Sequence, residues 1–169
     1  MNQALGLAAQ ALFLSNPNPR VGCVITAANG HVLGQGFTQQ AGGPHAEVMA
    51  LRDAAAAGRD VRGATAYVTL EPCAHQGRTG PCCDALIQAG VAKVVASIAD
   101  PNPLVAGQGF ARLRAAGIEV VVGPGAEESR ELNIGFFSRM VRGTPWVRLK
   151  VAASLDGTTA LHNGASQWI

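Results

Sequence analysis

At 169 residues, 48% hydrophobic and 14% charged, the chain is long enough for one ordinary buried core and too apolar for a disordered segment. Its formal charge is only +2, carried by arginines scattered one or two at a time, which excludes the clustered basic stripe of a nucleic-acid footprint. No apolar run approaches the roughly 20 residues of a membrane span, and the N-terminus lacks a signal peptide's basic stretch and cleavage site. The expectation is a cytoplasmic protein acting on a small molecule, with neither membrane nor nucleic acid as partner.

Leu5, Ala8, Ala9, Leu12 and Phe13 recur at helical spacing, predicting a first helix over Met1–Leu14 that stops before Pro17. Two short β-like runs, Val21–Ile25 and Val32–Phe37, flank Asn29-Gly30, the strongest short hairpin signal, and should pair antiparallel. An Ala-rich helix is predicted over Ala46–Ala57, closed by Gly58. Beyond it strands and helices alternate: strand Thr65–Leu70, helix Asp84–Ala89, strand Lys93–Ile98, helix Phe110–Ala116, strand Glu119–Val122 and a last helix Glu127–Val141. A hairpin followed by this alternation implies α/β architecture, a mixed sheet with helices on both faces. After Gly143-Thr144-Pro145 the pattern changes, and Trp146–Ala153 reads as the first strand of a second domain whose remainder lies beyond Ile169, as if cut from a longer polypeptide. Gly107-Gln108-Gly109 is a weak imitation of a phosphate-binding loop and reads as a turn.

Four cysteines could form two disulfides, but a reducing compartment disfavours them, and three cluster beyond a histidine motif, which points to metal. His45-Ala46-Glu47 opens the Ala-rich helix, Pro72-Cys73 follows a strand, and Cys82 lies beyond a glycine-containing loop. One imidazole and two thiolates are three ligands, and three protein ligands with a fourth position left to water define a catalytic zinc site. The zinc-deaminase signature is H-x-E followed by P-C-x-x-C, with the glutamate as general acid and base. The first half is present; the second cysteine lies further away than that spacing allows. Cys83 reads as a core residue or as one that backs the metal ligands, Cys23 as a packing residue, and His31 and His162 as surface positions.

The segments NPNPRVGCVI from Asn16, HAEVMAL from His45, ATAYVTLEPCAHQGRTGPCCDALI from Ala64, ADPNPLVAGQG from Ala99 and LKVAASLDGTTA from Leu149 together resemble the bifunctional riboflavin-biosynthesis deaminase/reductase family. The resemblance spans essentially the whole chain. It implies a cytidine-deaminase-like three-layer α/β/α fold over residues 1–143 and, over 144–169, the stub of a dihydrofolate-reductase-like domain that uses NADPH. A longer loop between the cysteine ligands is normal in that family, so the resemblance assigns Zn2+ to His45, Cys73 and Cys82 and the proton shuttle to Glu47. It further implies that Asn18, His75, Arg78, Asp100 and Asn102 line the substrate site, and that Ala152, Ser166 and Trp168 match cofactor- or substrate-contacting positions of the reductase. Thr38 and Gly80 depart from the His and Pro common in the family, which implies ribose-phosphate contacts that differ in detail.

The implied reaction is hydrolytic deamination of 2,5-diamino-6-(5-phosphoribosylamino)pyrimidin-4(3H)-one by a homo-oligomer. Its rivals are a cytidine, guanine or tRNA-adenosine deaminase on the same zinc core, which lack the phosphoribosyl-side loop and the reductase-like tail. A non-catalytic module stapled by zinc is the rival of another class, and Glu47 argues against it.

Overall fold

The computed structural model describes residues 1–75, 80–103 and 105–166. The expected hairpin forms from β1 (Gly22–Thr26) and β2 (Val32–Phe37), with Gly22 opposite Phe37 and Cys23 opposite Gly36. Its turn needs the glycine at position 30, whose φ of +84° is strained for any residue with a Cβ. On its other edge β1 pairs antiparallel with β3 (Thr65–Val68), which continues in parallel to β4 (Lys93–Ala96) and β5 (Glu119–Val122). The order β2-β1-β3-β4-β5 is the mixed sheet that the hairpin-then-alternation pattern predicts.

Two faces of that sheet take different helices. Opposed residues of an antiparallel pair share a face, so Gly22 looks one way and Cys23, Gly34 and Gly36 the other. α1 (Asn2–Gln10) lies against the first face so closely that a Cβ on Gly22 would stand 1.9 Å from the Ala4 carbonyl oxygen. α2 (Ala46–Ala56) lies against the second, where a Cβ on Gly34 would meet the Ala50 oxygen at 2.2 Å. α3 (Cys82–Gln88) packs between α2 and α4 (Gln108–Ala115), and α5 (Ala126–Leu132) against α1. The result is a three-layer α/β/α sandwich around Ile25, Val68, Leu86, Val94 and Leu113, all fully buried. The small-residue composition has a direct packing consequence: Ala50, Ala54, Ala66 and the glycines let helix and strand backbones approach closely.

Three expectations are corrected. The first helix ends at Gln10 rather than Leu14, because Ser15 Oγ bonds both the Ala11 and Asn18 carbonyls and turns the chain. The last helix is not continuous: α5 stops at Asn133, α6 (Ile134–Phe137) follows, and a π-helical turn over Ser138–Arg142 ends at Gly143. Asn133 leaves helical geometry at φ −113°, ψ 20°, and its amide is engaged elsewhere, as shown below. Finally, Trp146–Ala153 forms no strand among the described residues. Val147, Leu149 and Leu155 are largely or wholly exposed, since an isolated extended segment has neither a partner strand nor an apolar layer to cover it.

Strand ends aim the loops. β3, β4 and β5 run parallel, and β1 runs against β3, so the C-terminal ends of the parallel strands share one edge with the start of β1 and the end of β2. Ligand crevices of open α/β sheets form at that edge. Among the described residues no helix is long and apolar enough to cross a membrane.

Candidate active site

Cys73 leaves the sheet edge just after β3. β3 ends two residues earlier than predicted, but Thr69 N–H donates to Gly22 O at 3.1 Å and Glu71 N–H to Ile98 O at 3.0 Å, so the chain stays tied to its neighbours as far as Glu71. His45 is the N-cap of α2 in extended geometry, and Cys82 is the first residue of α3, two residues before the predicted start. Helix starts present free N–H groups and positive potential, which favour thiolates. Cys82 N–H accordingly donates to Cys73 Sγ at 3.3 Å.

His45 Nδ1 lies 3.2 Å from Cys82 Sγ and 3.6 Å from Cys73 Sγ. All three donor atoms fall within 4.8 Å of one another, and they are the single such cluster among the described residues. Zinc, at about 2.0 Å from nitrogen and about 2.3 Å from sulfur, spaces tetrahedral donors roughly 3.5 to 3.8 Å apart. The donor set therefore fits zinc in both chemistry and spacing. Glu47 is 3% exposed and outside the cluster, although it lines the same cavity.

The electrostatics follow from burial. Hydrogen bonding from Cys82 holds the Cys73 thiol well below its ordinary value, and the same bond, with burial, drives Cys82 upward. The bond to Cys73 raises His45. Desolvation, then the negative charge of Cys73, pushes the Glu47 carboxyl up to about 7. Burial and, after it, Glu47 raise the Cys23 thiol, which packs in the core as the sequence suggests. Burial likewise raises Asp100.

A cavity of about 490 Å³ opens over this cluster, and His45, Glu47 and Cys73 share its lining with Asn18, His75, Asp100 and Asn102. Every expected substrate-side residue that is described thus faces the cavity; Arg78 lies outside the described residues. Thr38 also lines it but is occupied with the fold, its Oγ1 accepting from Val21 N–H at 3.2 Å. Gly80 is exposed, with nothing near the position of a Cβ. Cys83 is buried in the core and His31 and His162 are exposed, as expected. Ala152 is half-buried and Ser166 exposed, in a shallow depression that Ala152 does not share. Trp168 lies outside the described residues.

Three side chains escaped sequence reasoning. Phe136 lines the cavity, a consequence of the broken last helix. Asn133, 4% exposed, accepts from Arg20 N–H at 2.7 Å and donates to Arg20 O at 2.9 Å, clasping the chain two residues beyond Asn18. Glu71, 4% exposed, takes backbone N–H groups from the far side of the cavity. The G-x-G at Gly107–Gly109 was a signal for it: those N–H groups do bind an anion, an internal carboxylate.

The family described as the cytidine and deoxycytidylate deaminase zinc-binding region matches residues 1–98, the span that carries His45, Glu47, Cys73 and Cys82. The chain belongs to that family. Its relatives within it are riboflavin biosynthesis proteins: it is 58% identical to the Escherichia coli (strain K12) riboflavin biosynthesis protein RibD over 169 residues, all of this chain and 45% of that protein. Among solved structures, Acinetobacter baumannii RibD superposes with a TM-score of 0.90 at 54% identity over 99% of this chain and 46% of that one. The Thermotoga maritima diaminohydroxyphosphoribosylaminopyrimidine deaminase/5-amino-6-(5-phosphoribosylamino)uracil reductase gives 0.93 at 45% identity, over 100% of this chain and 48% of that one. The chain thus spans under half the length of these relatives and carries their zinc-dependent deaminase region.

Proposed function

We propose that this chain hydrolyses the exocyclic amine of 2,5-diamino-6-(5-phosphoribosylamino)pyrimidin-4(3H)-one, releasing ammonia and 5-amino-6-(5-phosphoribosylamino)uracil. The observation that carries the reading is the convergence of His45, Cys73 and Cys82 with a buried, non-ligating Glu47 in one cavity. In this reading His45, Cys73 and Cys82 hold zinc, which when bound makes water a nucleophile near neutral pH. Glu47 takes a proton from the attacking water and passes it to the ring nitrogen beside the amine-bearing carbon. It takes the second water proton as the C–N bond breaks and gives it to the departing amine, leaving a ring carbonyl. Asn18 and Asn102 offer amide donors and acceptors to the polar edge of the pyrimidinone. Asp100 and His75 complete that rim, and Arg78 presents a donor fork to the phosphate.

The relatives, more than twice as long, support two further parts of the proposal. Residues 1–143 are the deaminase domain and 144–169 the start of a reductase. The full-length protein reduces the deaminated product with NADPH, with Ala152, Ser166 and Trp168 contributing to that site. We also read the protein as a cytoplasmic homo-oligomer, a reducing compartment being the one that preserves thiol ligands.

Ammonia release tests the substrate. The phosphoribosylaminopyrimidine should be deaminated and its dephosphorylated analogue much less so. Arg78→Ala should narrow that gap by about ten- to a hundredfold, the worth of a charge-assisted hydrogen bond, with zinc retained. Equal turnover of cytidine, guanine or an adenosine-containing RNA would overturn the substrate assignment and leave only the deaminase class.

A further inference from the structure

Glu71 stands two residues before Cys73, fully inside the protein, and none of the described ion pairs includes it. One of its oxygens holds both ends of one segment and the other holds the helix turn that follows it. Oε2 accepts from Asp100 N–H at 3.1 Å and from Gly107 N–H at 2.9 Å; Oε1 accepts from Gly109 N–H at 2.9 Å and Phe110 N–H at 3.3 Å. The segment so held, 100–107, carries Asp100 and Asn102 into the cavity. At its far end the start of α4 presses onto the same stretch, where a Cβ on Gly109 would stand 2.0 Å from Pro72 O. Asp100 Oδ1 then turns the chain by accepting from Asn102 N–H at 2.8 Å. Metal ligand and substrate rim are thereby joined through one side chain and two peptide bonds.

We propose that Glu71 is a positioning residue for the substrate rim: it fixes Asp100 and Asn102 relative to Cys73 and hence to the reacting carbon. A carboxylate is required because both oxygens must accept. Glutamine keeps the shape but turns one acceptor into an NH2 group that faces two backbone donors, either those of Asp100 and Gly107 or those of Gly109 and Phe110, so the segment or the helix turn that follows it loses its anchor. The inference rests on the deaminase reading above, and its test separates the two.

With the zinc-loaded chain, ammonia release from the phosphoribosylaminopyrimidine is measured for wild type, Glu71→Asp and Glu71→Gln, alongside zinc content and amide hydrogen exchange at Asp100, Gly107, Gly109 and Phe110. Absence of turnover in the wild type would sink the deaminase reading itself. With an active wild type, KM should rise in the order wild type, E71D, E71Q, by about tenfold or more in the last, the scale set by losing a hydrogen bond to a charged group. In both variants kcat should change far less than KM, zinc should stay at wild-type content, and exchange should quicken at those amides. Should E71Q fail to fold, E71D, one methylene too short to reach all four amides, carries the test alone. Wild-type KM with quickened exchange would overturn the proposal, as would zinc loss with kcat falling as far as KM, for Glu71 would then serve the fold only.

Discussion

The two sides of the cavity are built by opposite means. On the metal side, His45, Glu47 and Cys82 sit at helix starts, where backbone geometry alone orients them, and Cys73 follows a strand by a few residues. On the facing rim, Asn18, Asp100 and Asn102 lie on irregular loops that owe their shape to buried side chains reaching in from elsewhere, Asn133 for the first and Glu71 for the others. A helix start can be held by local chemistry; a loop is only as well placed as the distant group that satisfies its peptides. Chemistry and recognition should therefore fail independently.

The largest effect is expected on the metal side. His45→Ala, Cys73→Ser or Cys82→Ser should each reduce zinc from about one per chain to near none and abolish ammonia release, read by elemental analysis and a coupled ammonia assay. Cys83→Ser, next to a ligand but turned into the core, should keep its zinc; equal loss there would mean that the ligands are misassigned.

Glu47→Gln should separate binding from proton transfer on that same side. Zinc should remain while kcat falls by at least about a hundredfold, the usual worth of a positioned acid–base group. Turnover near wild type would transfer the shuttle role to another residue.

A smaller, different effect is expected from the rim. Asn133→Ala removes both bonds to Arg20 and one to Ser129 O at 3.2 Å, which should cost about 1–3 kcal/mol of stability. Because the loop it frees bears Asn18, KM should rise severalfold with zinc content unchanged. The comparison of the two sides breaks if N133A lowers zinc occupancy, and sharpens if its urea midpoint and KM move together while kcat holds.

Legibility followed the same division. The hairpin, the alternating strands and helices, and the mixed sheet were all readable, because residue periodicity and Gly, Pro and Asn-Gly signals are local. So was the metal cluster, whose H-x-E and P-C elements are motifs of a few residues, with the family resemblance supplying the longer spacing to Cys82. The unbroken last helix was predicted wrongly because apolar periodicity continues through Leu132, Phe136 and Phe137, whereas Asn133 bonds to Arg20 across 113 positions. The strand expected at Trp146–Ala153 failed for a related reason: its pattern is right, but a strand exists only by pairing.

What the sequence determined on its own is the donor chemistry: a His, two Cys and a neighbouring carboxylate in motifs of a few residues, with His45 and Glu47 at the start of a predicted helix. Tertiary structure alone decided how the facing rim of the cavity is fixed. Glu71 meets its partners 29 to 39 residues away, and Asn133 clasps a residue near the other end of the domain. A local pattern such as the G-x-G at Gly107–Gly109 can announce free peptide groups but does not name their partner; the contacts arise because buried peptide groups must find one and the folded sheet edge brings these two side chains within reach.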